Sequence, residues 1–285
     1  MVKVVITSAN SATGQMLIPV LKAAGHYTIG LVRRPMDIGS DEVITDWMHA
    51  DAARKALASA DVIVHLSGEL NARNERMYAA ANKDTAAVVA AYGKAARLIY
   101  LSYPHASAGE KNYYLRYKGE AEALLNGTGI PLVIFRCPVI IDAPDVSSRI
   151  DVLFKSRQGR PVPVIGSGHQ TMRPVFRGTV VEAIASALAG GRPGVYELSG
   201  PDEVTVDEFI RLANPPGTRL LHIPGWLAYV LSSIIPGLSS TFVDMMLHYT
   251  SSVYDPAVYR EFGIRPLSIV EMWRRAQTFS KIGGA

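Results

Sequence analysis

The stretch Lys3-Val4-Val5-Ile6-Thr7-Ser8-Ala9-Asn10-Ser11-Ala12-Thr13-Gly14 moves from a β-branched run, through a turn of small polar residues, into a segment with helical spacing. A strand that hands over at once to a helix aims backbone N–H groups and the positive helix end at one point, where an anion is stabilised. Of a Gly-x-x-Gly-x-x-Gly turn only Gly14 remains, with Ser8 and Ser11 at the other two places. Two readings of these residues stand side by side. In one, Thr7, Ser8, Asn10, Ser11, Ala12, Thr13 and Gly14 cradle a pyrophosphate; in the other, Ser11 merely caps a helix that Gly14 lets pack against the strand.

Working outward, further β-branched runs occur at Tyr27–Val32, Asp61–Leu66, Arg97–Ser102 and Pro131–Phe135, with a weaker one at Glu42–Thr45. Between them Ala12–Ala24, Met77–Lys94 and Tyr113–Leu125 carry apolar residues three and four apart, as helices covering a sheet face must. This alternation predicts an α/β fold built on a doubly wound parallel sheet. Past about residue 145 glycine and proline become more frequent. The expected organisation is therefore a nucleotide-type domain over 1–145, completed by returns of the chain from the second half, and a smaller α/β lobe over 146–285. The cleft between them is the default site.

With 48% hydrophobic and 19% charged residues among 285, the chain can bury a large core. Twenty-nine basic residues stand against 25 acidic ones, a net charge of +4 scattered without a stripe, which argues against nucleic acid as a partner. Cys137 is alone, so no internal disulfide is expected, and the seven histidines lack ligand spacing, so no metal site is expected. No apolar run reaches the roughly 18 residues of a membrane span. A cytoplasmic protein, monomeric or homodimeric, is expected. Gly225-Trp-Leu-Ala-Tyr-Val-Leu-Ser-Ser-Ile-Ile-Pro-Gly-Leu238 comes closest to a span, but its serines and Pro236 interrupt it, so a buried or cleft-lining helix is the expectation.

At the end of the second strand, Arg33 and Arg34 stand where an acidic residue would accept hydrogen bonds from the adenine ribose of NAD. Guanidinium groups there suit a 2′-phosphate, hence NADP, although two solvated arginines are the plainer reading. Asp46 and Trp47, after the third strand, are candidate adenine contacts. Tyr114 and Lys118 lie four apart at the start of a helical segment and so share a face. An ammonium beside a phenol favours phenolate and makes the phenol a usable proton donor and acceptor. Ser102, ending the preceding strand, can hydrogen-bond the same substrate oxygen. Tyr-x-x-x-Lys also arises by chance, with packing aromatics as the alternative.

Taken in order, these pieces resemble the short-chain dehydrogenase/reductase superfamily in its extended and atypical branches. The loop of residues 6–14, Arg33-Arg34, Asp61–Gly68, Leu98–Ser102 and Tyr114–Lys118 carry the resemblance, which continues through Phe135–Pro138, Pro163–Gly168, Arg173–Val175 and Val195–Phe209. It implies a Rossmann-type domain that binds NAD(P), with Leu66, Ser67, Gly68, Cys137, Pro138 and Val139 on the cofactor side. It further implies Tyr114 as proton donor, Lys118 holding the nicotinamide ribose, and Ser102 or a neighbour polarising the substrate. Departures are Ser8 and Ser11 in the loop, Pro104 where many extended members carry the catalytic Ser or Thr, and Arg177-Gly178-Thr179 where sugar-nucleotide epimerases have an aspartate pair.

His105, Arg173 and Trp226 are candidate substrate contacts, each with a bland reading as a loop or core residue. If Trp226, Tyr229, Phe242, Met245 and Met246 face the cleft, they favour an apolar substrate. The first expectation is an NAD(P)H-dependent oxidoreductase acting on a small, largely apolar carbonyl or alcohol. The alternatives are a non-catalytic NAD(P)-binding sensor or scaffold, and an NAD(P)-dependent epimerase or isomerase.

Overall fold

The computed structural model describes residues 1–142, 154, 156 and 159–274. Strands β1 (Lys3–Thr7), β2 (Tyr27–Leu31), β3 (Glu42–Ile44), β4 (Val62–His65), β5 (Arg97–Ser102), β6 (Leu132–Arg136) and β11 (Gly194–Glu197) form one sheet in the order β11-β6-β5-β4-β1-β2-β3. Every neighbouring pair is parallel. This is the doubly wound, Rossmann-type sheet expected from the alternation of elements. Strand order reverses between β1 and β4, which opens a crevice at the carboxyl ends of both.

Strand periodicity distributes the core over two layers. Val4 and Ile6 of β1 meet Leu17, Ile18 and Leu21 of α1 (Ala12–Ala23) and Val180, Val181 and Ile184 of α6 (Arg177–Ala187) on one face. Val5 points the other way, with Ile63, Leu98 and Tyr100, toward α2 (Asp51–Ala58), α4 (Thr85–Tyr92) and α5 (Tyr113–Asn126). Fully burying one such aliphatic side chain contributes about 1.5 to 3 kcal/mol. Helix α2 lies outside the segments marked by helical spacing. The expected helix at Met77–Lys94 is instead α3 (Glu75–Tyr78), a π-helical turn (Ala79–Asp84) and α4 in succession.

Beyond residue 137 short strands take over: β7 (Ile140–Ile141), β8 (Val162–Ile165), β9 (Thr171–Met172), β10 (Val175–Phe176), β12 (Val204–Thr205) and β13 (Leu220–Ile223), paired two by two. Their core gathers Val164, Met172 and Phe176 with Phe209 and Ile210 of α7 (Val206–Ala213), which begins with a Thr205/Glu208 capping box. Helices α8 (Gly225–Ser232), α9 (Ser240–His248) and α10 (Pro256–Glu261) follow. The burial expected for Gly225–Leu238 is not found. Ala228 is the one buried residue of α8, because this helix packs through a narrow strip on α9 and leaves Trp226 70% exposed.

Candidate active site

The turn after β1 is held by hydroxyl groups. Thr7 Oγ1 accepts from the Leu66 N–H and the Ser67 hydroxyl, both at 3.1 Å, and lies 2.9 Å from His65 Nδ1. Its own proton therefore goes to the imidazole, which fixes the tautomer with the proton on Nε2. Burial, helped by the Lys118 charge, pushes His65 down to about 3, so the ring stays neutral. Since Ser67 gives its proton to Thr7, Ser8 donates across the 2.9 Å contact to Ser67. Ser8 makes that contact with a positive φ of 48°, the conformation glycine adopts at no steric cost. Ser11 is the N-cap of α1, accepting from the Gly14 N–H at 3.1 Å. A methyl group on Gly14 would run into the Ala9 backbone, so this glycine is required by packing.

Tyr114 sits in the first turn of α5, started by Asn112, whose side chain caps the Tyr114 and Leu115 N–H groups. One turn on, the Lys118 ammonium donates to the carbonyls of Leu101 at 2.9 Å and Ser67 at 3.3 Å, and lies 4.8 Å from the Tyr100 ring centroid and 5.9 Å from that of Tyr114. Lys118 is 3% exposed, and this burial, opposed by the Glu122 charge, lowers it to about 7. Burial likewise raises the Tyr114 phenol, which rests edge-on against Tyr103. A substituent on Gly68 would collide with the Lys118 ammonium and the Asn82 carboxamide, so the backbone there comes as close as it can. Fully buried Asn82 lies in the π turn, donates to Tyr78 O at 2.9 Å and accepts from the Glu69 N–H at 3.3 Å.

Two cavities meet at Gly68. One, of about 210 Å³, is lined by Tyr114, Lys118, Cys137, Pro138, Val139, Phe242, Met245 and Met246 among others. The second, of about 450 Å³, runs over Ser8, Arg33, Trp47, Ser67 and the outer face of the π turn. A buried ammonium, a phenol and an apolar wall thus stand at one end, with the Ser8 turn and a guanidinium unpaired among the described residues, that of Arg33, toward the other.

No family model and no curated protein matches this sequence. Solved structures do match over nearly the whole chain. "MoeE5 in complex with UDP-glucuronic acid and NAD" superposes with a TM-score of 0.75 at 18% identity, covering 99% of both chains. The UDP-glucuronic acid 4-epimerase of Bacillus cereus in complex with NAD gives 0.73 at 14%, covering 99% of this chain and 100% of that one. The epimerase Mth375 of Methanothermobacter thermautotrophicus gives 0.76 at 17%, covering 99% and 93%. The chain has the fold of NAD-binding epimerases.

Within that fold several expected contacts are diverted. Ser102 lines the cleft, but its hydroxyl donates to Glu122 at 2.6 Å, and Glu122 is clamped by Arg136 at 3.0 and 2.6 Å. It is tied into a buried ion-pair network rather than offered to a ligand. His105 is exposed, holds Ser251 O at 3.0 Å and stacks edge-on against Tyr249, away from the cleft. Arg173 is spent on Pro201 O at 2.8 Å and Glu203 at 3.0 Å. Trp226 and Tyr229 face outward with α8, whereas Phe242, Met245 and Met246 of the same apolar series line the cleft. Trp47 is 2% exposed and forms a wall of the larger cavity from within the core. Asp46 holds His49 at 2.9 Å, Asn10 O accepts from Gln15, Ala12 and Arg34 are exposed, and Thr13 is buried.

Thr13 has an unforeseen partner. The Arg177 guanidinium grips Asp142 at 2.7 and 2.9 Å and donates to Thr13 Oγ1 at 2.7 Å, so the first residue of α6 holds the first turn of α1. Asn82 was also missed, lying in an alanine-rich run with nothing nearby in sequence to set it apart. Asn112 was missed too, although an Asn just before a helical segment is an N-cap signal. Among the described residues no three His, Cys, Asp or Glu side chains gather as metal ligands.

Proposed function

We propose that this chain is an NAD(P)-dependent oxidoreductase of the short-chain dehydrogenase/reductase type, acting on a small, largely apolar carbonyl or alcohol. The observation that carries the proposal is Tyr114 one helical turn from buried Lys118 in an apolar-walled cleft that joins the larger groove at Gly68. The donor set fits a dinucleotide: the N-terminus of α1, capped by Ser11, offers its first backbone N–H groups to an anion, and Gly68 leaves room where a Cβ would not fit. A bound nicotinamide supplies or accepts the hydride. The protein's part is proton transfer: Tyr114 Oη gives its proton to a substrate oxygen, and Lys118 stabilises the phenolate left behind while its other N–H bonds hold the Leu101 and Ser67 carbonyls. No described residue hydrogen-bonds the Tyr114 hydroxyl, which leaves it free for substrate. With Ser102 committed to Glu122, polarisation of the carbonyl rests on Tyr114 itself.

Tyr114→Phe is expected to lower kcat by about 10² to 10⁴ with little change in KM, and turnover equal to that of the unaltered protein would remove the reading. We further propose a preference for NADP(H), because exposed Arg33 lines the larger cavity and Arg34 follows it, neither ion-paired among the described residues. Calorimetric titration should give NADPH a Kd at least about tenfold below that of NADH, a gap that Arg33→Ala/Arg34→Ala erases. Epimerase chemistry is the second reading, favoured by the similarity to structures that hold UDP-sugars with NAD. The cleft beside Tyr114, at about 210 Å³, suits a smaller molecule.

A further inference from the structure

Between Ile223 and Val243 the chain has no Asp, Glu, Lys, Arg or His. A run so free of charge ordinarily sits in a core. Here it stands outside: Trp226 and Ile234 are each 70% exposed, Val230 51% and Ile235 45%. On α8, Trp226 and Val230 fall four apart on one face, which Ile234 and Ile235 continue past the helix end. The tip is pinned in place, for Asn71 donates to Gly237 O and accepts from the Ser239 N–H, and Ser239 also bonds Tyr78. Across a cavity of about 570 Å³ from Ile234–Leu238 lies the segment Asn71–Asn74, where exposed Arg73 is one of the lining residues and Arg76 follows a turn later. Neither arginine has an acidic partner among the described residues, and Glu75 between them is taken by Arg116.

We propose that this apolar tip and its two arginines dock the protein on a lipid bilayer surface rich in anionic headgroups. Trp226, Val230, Ile234 and Ile235 enter the boundary between headgroups and acyl chains, and Arg73 and Arg76 pair with lipid phosphates. Charge decides between occupants. A two-fold dimer through the tip would bring the same unpaired arginines of both copies to one interface, whereas anionic headgroups neutralise them. Behind the tip, α9 carries Phe242, Met245 and Met246 into the cleft, so a docked molecule holds its apolar cavity next to the lipid. The inference stands apart from the redox reading, since it needs neither cofactor nor turnover.

The test is flotation of the full chain with vesicles of phosphatidylcholine alone and of equal parts phosphatidylcholine and phosphatidylglycerol, followed also by tryptophan emission. Binding to the anionic vesicles with a blue shift is expected, lost in Trp226→Gln/Ile234→Ser while thermal melting stays unchanged. Arg73→Gln and Arg76→Gln should each weaken it about fivefold, the worth of one basic residue at an anionic surface. Absence of flotation with either vesicle, or flotation undiminished by Trp226→Gln/Ile234→Ser, would overturn the proposal. So would light scattering, without lipid, that showed a dimer broken by those two substitutions.

Discussion

Lys118 is the residue whose ionisation the fold changes most consequentially. Desolvation brings it from 10.5 to about 7, so between those values the unfolded chain carries a proton that the folded chain has released. Unfolding then takes up a proton, and the Lys118 contribution to stability must rise with pH through this window and level off below it. We expect the denaturant midpoint to increase between pH 7 and pH 9, by up to about 2 kcal/mol in unfolding free energy, and Lys118→Met to flatten the profile. Cys137 and Tyr114, both raised by burial, pull the other way only where an exposed thiol or phenol would ionise. A slope that survived Lys118→Met would assign the linkage to another group.

At the scale of elements, α1 shows how a motif and its plain alternative coexist. Ser11 is the helix cap, and that same role presents the first N–H groups of α1 to whatever lies before them. Ser11→Ala should cost about 1 kcal/mol and Ser11→Gly only a few tenths, read from thermal melts, since glycine is itself a fair N-cap. Six of the seven strands of the sheet, all but β11, were legible because β-branched runs bounded by turns have few other uses, and α5 because Tyr114, Lys118, Ala121 and Leu125 repeat at helical spacing. The break in the helix between Glu75 and Tyr92 was not legible. No proline or glycine marks it, and its widened turn is held by bonds between Asn82 and the loop at Glu69, thirteen residues away. Ser102 is similar: its partner Glu122 and the clamping Arg136 are brought beside it only when β5, α5 and β6 assemble. Hydropathy marked Gly225–Leu238 as apolar but carries no information on which apolar surface a fold leaves uncovered.

Across the whole molecule, Arg177 joins the two halves of the chain, holding Asp142 on one side and Thr13 on the other. Both ionic partners are buried, so Arg177→Met strands a carboxylate and should destabilise by about 3 to 5 kcal/mol. Arg177→Met/Asp142→Asn should recover most of that loss but not the hold on α1, and thermal melts with and without dinucleotide separate the two effects. The sheet itself joins distant stretches of chain. Its strand β11 lies against β6, yet 57 residues, 137 to 193, separate them. A ribosome adding roughly 5 to 20 residues per second needs about 3 to 12 s to cover that gap. For that time a nascent chain that has already paired β1 to β6 presents the bare edge of β6, with Val133 and Phe135 beside it, to any other extended segment in reach. Protein synthesis, rather than thermodynamics at the end of it, is thus the stage at which this fold is most exposed to misassembly, and holding chaperones would act between those two strands.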